Sequence, residues 1–195
     1  MNPMTEEKLL EIGKYKVAAP VPPDRTPEQV AKATVIRGRK SGQIGIPRPY
    51  LFGALVNGGK YVKFEGLRRY TGAEGSLVPA FIFLPKAFYP FKNQDEPMQT
   101  SIMGVPATKG SGMVPCIRAM FENWKIDVDI RYLEDEIHEG NVRAIVERAG
   151  LTAGVGAYRP ARKGFYGQFE ITRWEVESEE EHAEEAPESA KFAAD

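Results

Sequence analysis

The chain reads as an α+β domain on the ferredoxin-like β-α-β-β-α-β plan: an antiparallel sheet with insertions, followed by a disordered acidic C-terminal tail. Three observations predict it. In KIDVDIRY (125–132), Ile126, Val128, Ile130 and Tyr132 alternate with Lys125, Asp127, Asp129 and Arg131, the period of a half-buried strand. Val142, Ile145, Val146 and Ala149 recur at helical spacing and Gly150 follows them, which marks an amphipathic helix with a glycine stop. Leu51, Ala54 and Leu55 predict a second helix that begins near Pro49 and breaks at Gly58-Gly59.

The remaining elements follow in order. Residues 1–25 form an N-terminal arm, with a short amphipathic start from Thr5 to Ile12 and then AAPVPPDR, whose prolines remove amide donors and fix an extended path. Thr26-Pro27-Glu28-Gln29 sets an N-cap, a first-turn proline and a capping-box acceptor in sequence, so a short helix follows. ATVIRGR (33–39) and LVPAFIFLPK (77–86) read as strands, and the Pro-, Gly- and Ser-rich run from Tyr89 to Met113 as a long mobile loop. PCIRAMFE (115–122) is expected to pair with 125–132 in a hairpin turning at Asn123-Trp124. Glu139 and Arg143 stand four apart in the favourable order on the later helix. QFEITRWEV (168–176) closes the sheet, so the domain spans 26–176 and the acidic tail 177–195.

With 195 residues and 42% apolar content, the chain is long enough for one domain with a real core. Its longest uncharged run is 12 residues, too short for a helix across a bilayer, so no membrane is expected. The opening residues show no secretory signal, and one cysteine fits a reducing compartment, so a cytoplasmic location is expected. One Cys and two His fall short of a four-ligand zinc set, and neither metal nor cofactor is expected.

Charge is segregated along the chain. The formal net charge is −1, yet residues 175–195 hold nine carboxylates and one base, Lys191. Residues 1–174 therefore carry 25 bases against 18 acids, a balance of +7. A cationic body attracts polyanions, and nucleic acid is the commonest intracellular one. The acidic stretch is either a solubilising tail, a hook for partner proteins, or an internal polyanion mimic that competes for the basic surface.

The segment AGLTAGVGAYRPARKGFYGQF (149–169) carries the chemistry. Tyr158, Arg159, Arg162, Lys163, Phe165 and Tyr166 stand among glycines, and aromatic faces stack on unpaired bases while guanidinium groups hold phosphate. A lid whose aromatics merely cover the sheet is the alternative. A second basic series comprises Arg37, Arg39, Lys40 and Arg48, with Tyr50 beside it, and then Lys60, Lys63, Arg68 and Arg69; strand, loop and helix together would form one cationic groove. Lys92 and Lys109 bracket the long loop and would clamp a strand.

Catalytic readings are poorer, and no enzyme is expected. His138 is the body's one histidine, with Glu136 and Glu139 beside it, and reads as structural. No serine has an evident base or a nucleophile elbow. Cys116 alternates within a strand and reads as packed. Asp127 and Asp129 share a strand face and, with a third oxygen, would hold a hard cation; flanked by Lys125 and Arg131, they are read instead as forming cross-strand ion pairs. Gly154-x-Gly156 has no acidic ribose partner, and there is no phosphate-binding P-loop sequence.

Ile46-Pro47, Leu51, Gly53, Ala54 and Leu55, with GVGAYRPARKGFYGQFEI further on, resemble two motifs of the RAMP superfamily, the repeat-associated proteins of CRISPR effector backbones. The resemblance spans 33–176 and implies a ferredoxin-like domain with a glycine-rich loop before its last strand. Pro49, Tyr50 and Val56 depart from the family's pattern, and no catalytic residue matches, so RNA cleavage is not implied. The glycine-rich phrase also looks like segments of phage proteins, so a stand-alone phage or mobile-element member fits as well as a CRISPR subunit. The function expected is non-enzymatic binding of single-stranded RNA or DNA. The alternatives are an assembly subunit that self-associates, as a homo-oligomer or in a larger complex, through the same loop, and a RAMP-type endoribonuclease.

Overall fold

Thr26 opens the first helix as its side chain dictates. Its Oγ1 accepts from the Gln29 amide at 3.3 Å, and Gln29 Oε1 accepts from the Thr26 amide at 3.0 Å. This reciprocal cap sets α1 over Pro27–Ala33. The computed structural model describes residues 25–64, 66–94, 98–106 and 113–177. The predicted start over 5–12, the proline-rich run, Lys109 and the acidic stretch beyond 177 lie outside the described residues.

After α1 come β1 (Gly45–Pro47), α2 (Arg48–Gly58), a helical turn α3 (Val78–Phe81), β2 (Ile82–Phe83) and β3 (Phe88–Pro90). Then follow β4 (Gln99–Pro106), β5 (Met113–Met120), β6 (Arg131–Tyr132) and α4 (Glu139–Arg148). Among the described residues the architecture is mixed α and β, with few helices and, in place of the one antiparallel sheet expected, three small antiparallel pairs: β1 with β3, β2 with β6, and β4 with β5. Neighbouring amides at Phe91 and Lys92 donate to opposite sides, to the Ile44 and Lys125 carbonyls at 2.8 and 2.7 Å. Residues 82–92 therefore run between β1 and the extended segment 124–132.

Several expectations are corrected. The hairpin partner of β5 is β4, not 125–132, with Ile102 opposite Ile117 and Ser101 opposite Arg118. Eight residues of register outweigh the two-residue turn expected at Asn123-Trp124. The expected long loop from Tyr89 to Met113 thus contains a full strand. Residues 33–39 contribute only one bridge, Arg37 opposite Ile44, because α1 runs to Ala33 and the chain turns at Gly38. Pro79 sits in the first turn of α3, and only Ile82–Phe83 of 77–86 is strand. Gly150 does not stop α4: a π-helical turn carries on through Ala149–Ala153, and the positive φ, +65°, falls at Gly154. Arg143 pairs forward with Glu147 at 3.1 Å, leaving Glu139 to accept from Trp174 Nε1 at 2.5 Å.

The core forms where α2 and α4 close over the paired strands. Ile46, Leu51, Leu55, Val78, Ile82, Val142 and Ile145 are buried together. Their removal from water is the main favourable contribution to folding. Only Arg131–Tyr132 of the strand expected over 125–132 pairs in a ladder, yet burial alternates through 124–132, with Trp124, Ile126, Val128, Ile130 and Tyr132 packed on the core. The opposite face carries ion pairs: Asp127 with Lys92 and Asp129 with Lys86, both at 2.6 Å. The hydrogen bond from Lys86 to Asp129 pushes the ammonium pKa up. Phe169, Ile171 and Trp174 pack on the same core, but 168–176, expected as the closing strand, forms no ladder among the described residues; the Phe169 amide donates instead to the Gly150 carbonyl of the π-helical turn, at 3.3 Å. Among the described residues no helix is long and apolar enough to cross a membrane.

Candidate nucleic-acid interface

A groove of about 540 Å3 runs between the β4–β5 hairpin, the N-terminal end of α2 and the glycine-rich loop. Each wall has a local cause. Pro47 and Pro49 start α2, which brings Tyr50 and Gly53 to one side of the groove. Thr34 Oγ1 accepts from the Ala119 amide at 2.9 Å and so ties α1 to β5, with Arg118 on the opposite wall. The loop is clamped at its base, where the Val155 amide donates to the Gly167 carbonyl at 2.8 Å. Tyr158, Arg159, Arg162 and Tyr166 project from it along the groove.

Phe91, Phe121 and Trp124 also line the groove. Phe91 stacks on Trp124 at a centroid distance of 6.0 Å and meets Phe121 edge-on at 5.6 Å. Met103 and Met120 add adaptable apolar surface. In the loop, Phe165 lies 4.5 Å from Tyr166 and 5.4 Å from Tyr158, and it is 65% exposed. Arg159 Nη1 donates to the Gly156 carbonyl at 2.7 Å, which fixes the side chain in place. Among the described lining residues there are three guanidinium groups and no carboxylate.

Of the eleven residues expected to bind nucleic acid, Tyr50, Tyr158, Arg159, Arg162 and Tyr166 line this groove. Phe165 stands beside it in the aromatic cluster. Lys163 takes a left-handed φ of +62° next to that cluster and does not line the groove. Arg37 instead braces its own turn through the Gly42 carbonyl at 3.0 Å, with Arg39 and Lys40 exposed on that turn. Arg48 reaches toward the Leu84 carbonyl at 3.5 Å, away from the groove lining. Lys92, expected to clamp a strand, is held by Asp127. Arg69 donates to the Lys60 carbonyl at 2.9 Å and Lys60 to Asn57 Oδ1 at 2.8 Å, so that part of the second basic series serves its own loop.

Sequence reasoning missed Arg118, Trp124 and the two methionines. Arg118 was legible as a single base in an otherwise apolar strand, but its direction depends on the pairing with β4. His138 is the N-cap of α4: its Nδ1 accepts from the Gly140 amide at 3.1 Å. Cys116 is half-buried in β5 opposite Met103. Among the described residues, no cluster of three or more His, Cys, Asp or Glu side chains could hold a metal ion.

Compared with protein-family models, curated proteins and solved structures, the chain matches none. The groove's own geometry therefore carries the functional reading.

Proposed function

We propose that this chain is a non-enzymatic binder of single-stranded nucleic acid and that the groove is its binding track. The single observation that carries the reading is the lining. Three guanidinium groups (Arg118, Arg159 and Arg162) share one open groove with Tyr50, Tyr158, Tyr166 and Trp124, and no described lining residue is acidic. Guanidinium forks satisfy phosphate oxygens, and rings accept unpaired base faces at about 1–3 kcal/mol each. A duplex hides those faces, so the chemistry favours an unpaired strand.

The motifs at Ile46-Pro47 and in the glycine-rich loop flank this groove, which supports reading the chain as RAMP-like and the element order as a variant of the ferredoxin-like plan. We place its work in the cytoplasm, where such a ligand is found.

The test is fluorescence anisotropy with labelled oligo(U) and oligo(dT) of about twenty nucleotides, over a series of salt concentrations. Log affinity is expected to fall linearly with log salt, by about 0.7 per phosphate contacted. Absence of binding near 50 mM salt overturns the proposal, provided a chain with neutralised acidic tail also fails to bind. Self-association through the loop is the competing reading, favoured by the exposure of Phe165. Light scattering of nucleic-acid-free protein gives stable oligomers if that reading holds and a monomer if the groove acts alone.

A further inference from the structure

We infer that the chain's own acidic segment, residues 178–195, occupies the groove when no nucleic acid is present, and that a bound strand displaces it. This deepens the proposed function and rests on it for its purpose, but not for its test. The groove presents Arg118, Arg159 and Arg162 with no carboxylate among the described lining residues. An open cationic surface of this kind takes whichever anion is held closest. The chain supplies one: Glu179, Glu180, Glu181, Glu184, Glu185, Glu188 and Asp195, against the single base Lys191. Phe192 adds a ring among these carboxylates. Carboxylates spaced along a chain offer the guanidinium forks the same bidentate acceptors as phosphates, and a phenyl ring offers the tyrosines and Trp124 the same face as a base.

Length permits the contact. The described chain ends at Glu177, and eighteen further residues reach at most about 60 Å when extended. A domain of about 150 residues is only about 40 Å across. The segment's span thus exceeds the width of the domain that separates it from the groove at most. Tethering raises a weak ligand to an effective concentration in the millimolar range, enough to compete with a free oligonucleotide without closing the groove permanently.

The experiment compares the full chain with a full-length variant in which Glu179, Glu180, Glu181, Glu184, Glu185 and Glu188 are all replaced by glutamine. The probe is labelled oligo(U). The variant is expected to bind about three- to tenfold more tightly at low salt, with the gap closing as salt rises. Equal affinities overturn the inference and leave the proposed function standing. A synthetic peptide of residues 178–195, added to the glutamine variant, separates the two claims. It is expected to shift the fluorescence of Trp124, and Arg118→Glu with Arg159→Glu is expected to abolish the shift. If the peptide binds and oligo(U) does not, the proposed function fails while the docking holds. If the peptide leaves the fluorescence unchanged, the docking is overturned whatever oligo(U) does.

Discussion

The Phe169 carbonyl oxygen occupies the space that a Cβ on Gly150 would need, and the Phe169 amide donates back to the Gly150 carbonyl at 3.3 Å. This contact joins the π-helical turn after α4 to the closing segment and fixes the base of the glycine-rich loop. Any side chain at 150 must push the two backbones apart. Gly150→Ala is therefore expected to cost about 1–3 kcal/mol in urea unfolding. An unchanged midpoint would mean that the two segments are not locked together.

Gly53 behaves in the opposite way. It lies inside α2 and lines the groove, and a Cβ built there meets nothing within 4 Å. Glycine inside a helix costs roughly 0.5–1 kcal/mol relative to alanine, so Gly53→Ala is expected to raise stability by about that much. The added methyl stands in the groove, and oligonucleotide affinity is expected to fall in the same protein. Thermal melts and anisotropy titrations on one preparation check both signs. A variant that is more stable and binds equally well would remove α2 from the binding surface.

Arg118 and the outlying bases separate groove binding from general attraction. Arg118→Ala and Arg162→Ala are each expected to flatten the salt dependence by about 0.7 in log–log slope. Tyr166→Ala removes a stacking face, worth about 1–3 kcal/mol, and leaves the slope unchanged. Arg39→Ala, on a turn outside the groove lining, is expected to change neither quantity measurably. If Arg39→Ala weakens binding as much as Arg118→Ala, the attraction belongs to the whole surface.

Tyr70 and Tyr89 set an alkaline limit on stability. Burial pushes both phenols above their ordinary 10.0, although Asn141 Nδ2 donates to the Tyr70 hydroxyl at 3.1 Å. The Tyr89 ring is fully buried, and its hydroxyl, close to the Lys86 backbone, has no partner in hydrogen-bond geometry among the described residues. A phenol held above its unfolded pKa stabilises the fold in full below about pH 10, and that contribution is lost as pH rises through the folded value. The melting temperature is expected to be flat from pH 7 to about 9 and to fall beyond 10. Tyr89→Phe is expected to weaken that fall and to leave stability at neutral pH equal or about 1 kcal/mol higher, because an unpaired buried hydroxyl is removed. A large loss at neutral pH would show that the hydroxyl has a partner after all.

What the sequence made legible was whatever is decided within a few residues. The Thr26 capping box, the start of α2 at its prolines and the apolar face of α4 are local, and each is found where its residues predicted it. The alternation of 124–132 correctly gave the buried face and the ion-paired face. It did not give the neighbour, because period two sets which side faces in and says nothing about which strand lies alongside. Strand β4 was hidden for the same reason: QTSIMGVP has glycine and proline at its end, and only its register with β5 makes it a strand. The groove shared that fate. Tyr158, Arg159, Arg162 and Tyr166 were visible as a cluster in one loop, whereas Arg118 and Trp124 reach the groove through pairings between distant segments. Arg37 and Arg48 were expected in the same groove, but neither lines it: the Gly42 and Leu84 carbonyls engage them elsewhere.

An unpaired strand lying in this groove would leave its mark in photo-crosslinking. Full-length protein bound to a 4-thiouridine oligonucleotide is irradiated and digested, and the adducts are mapped by mass spectrometry. Adducts concentrated on Tyr50, Trp124, Tyr158, Phe165 and Tyr166 are the predicted result. Adducts confined to other exposed rings, such as Tyr61, with none on the groove residues, would contradict it.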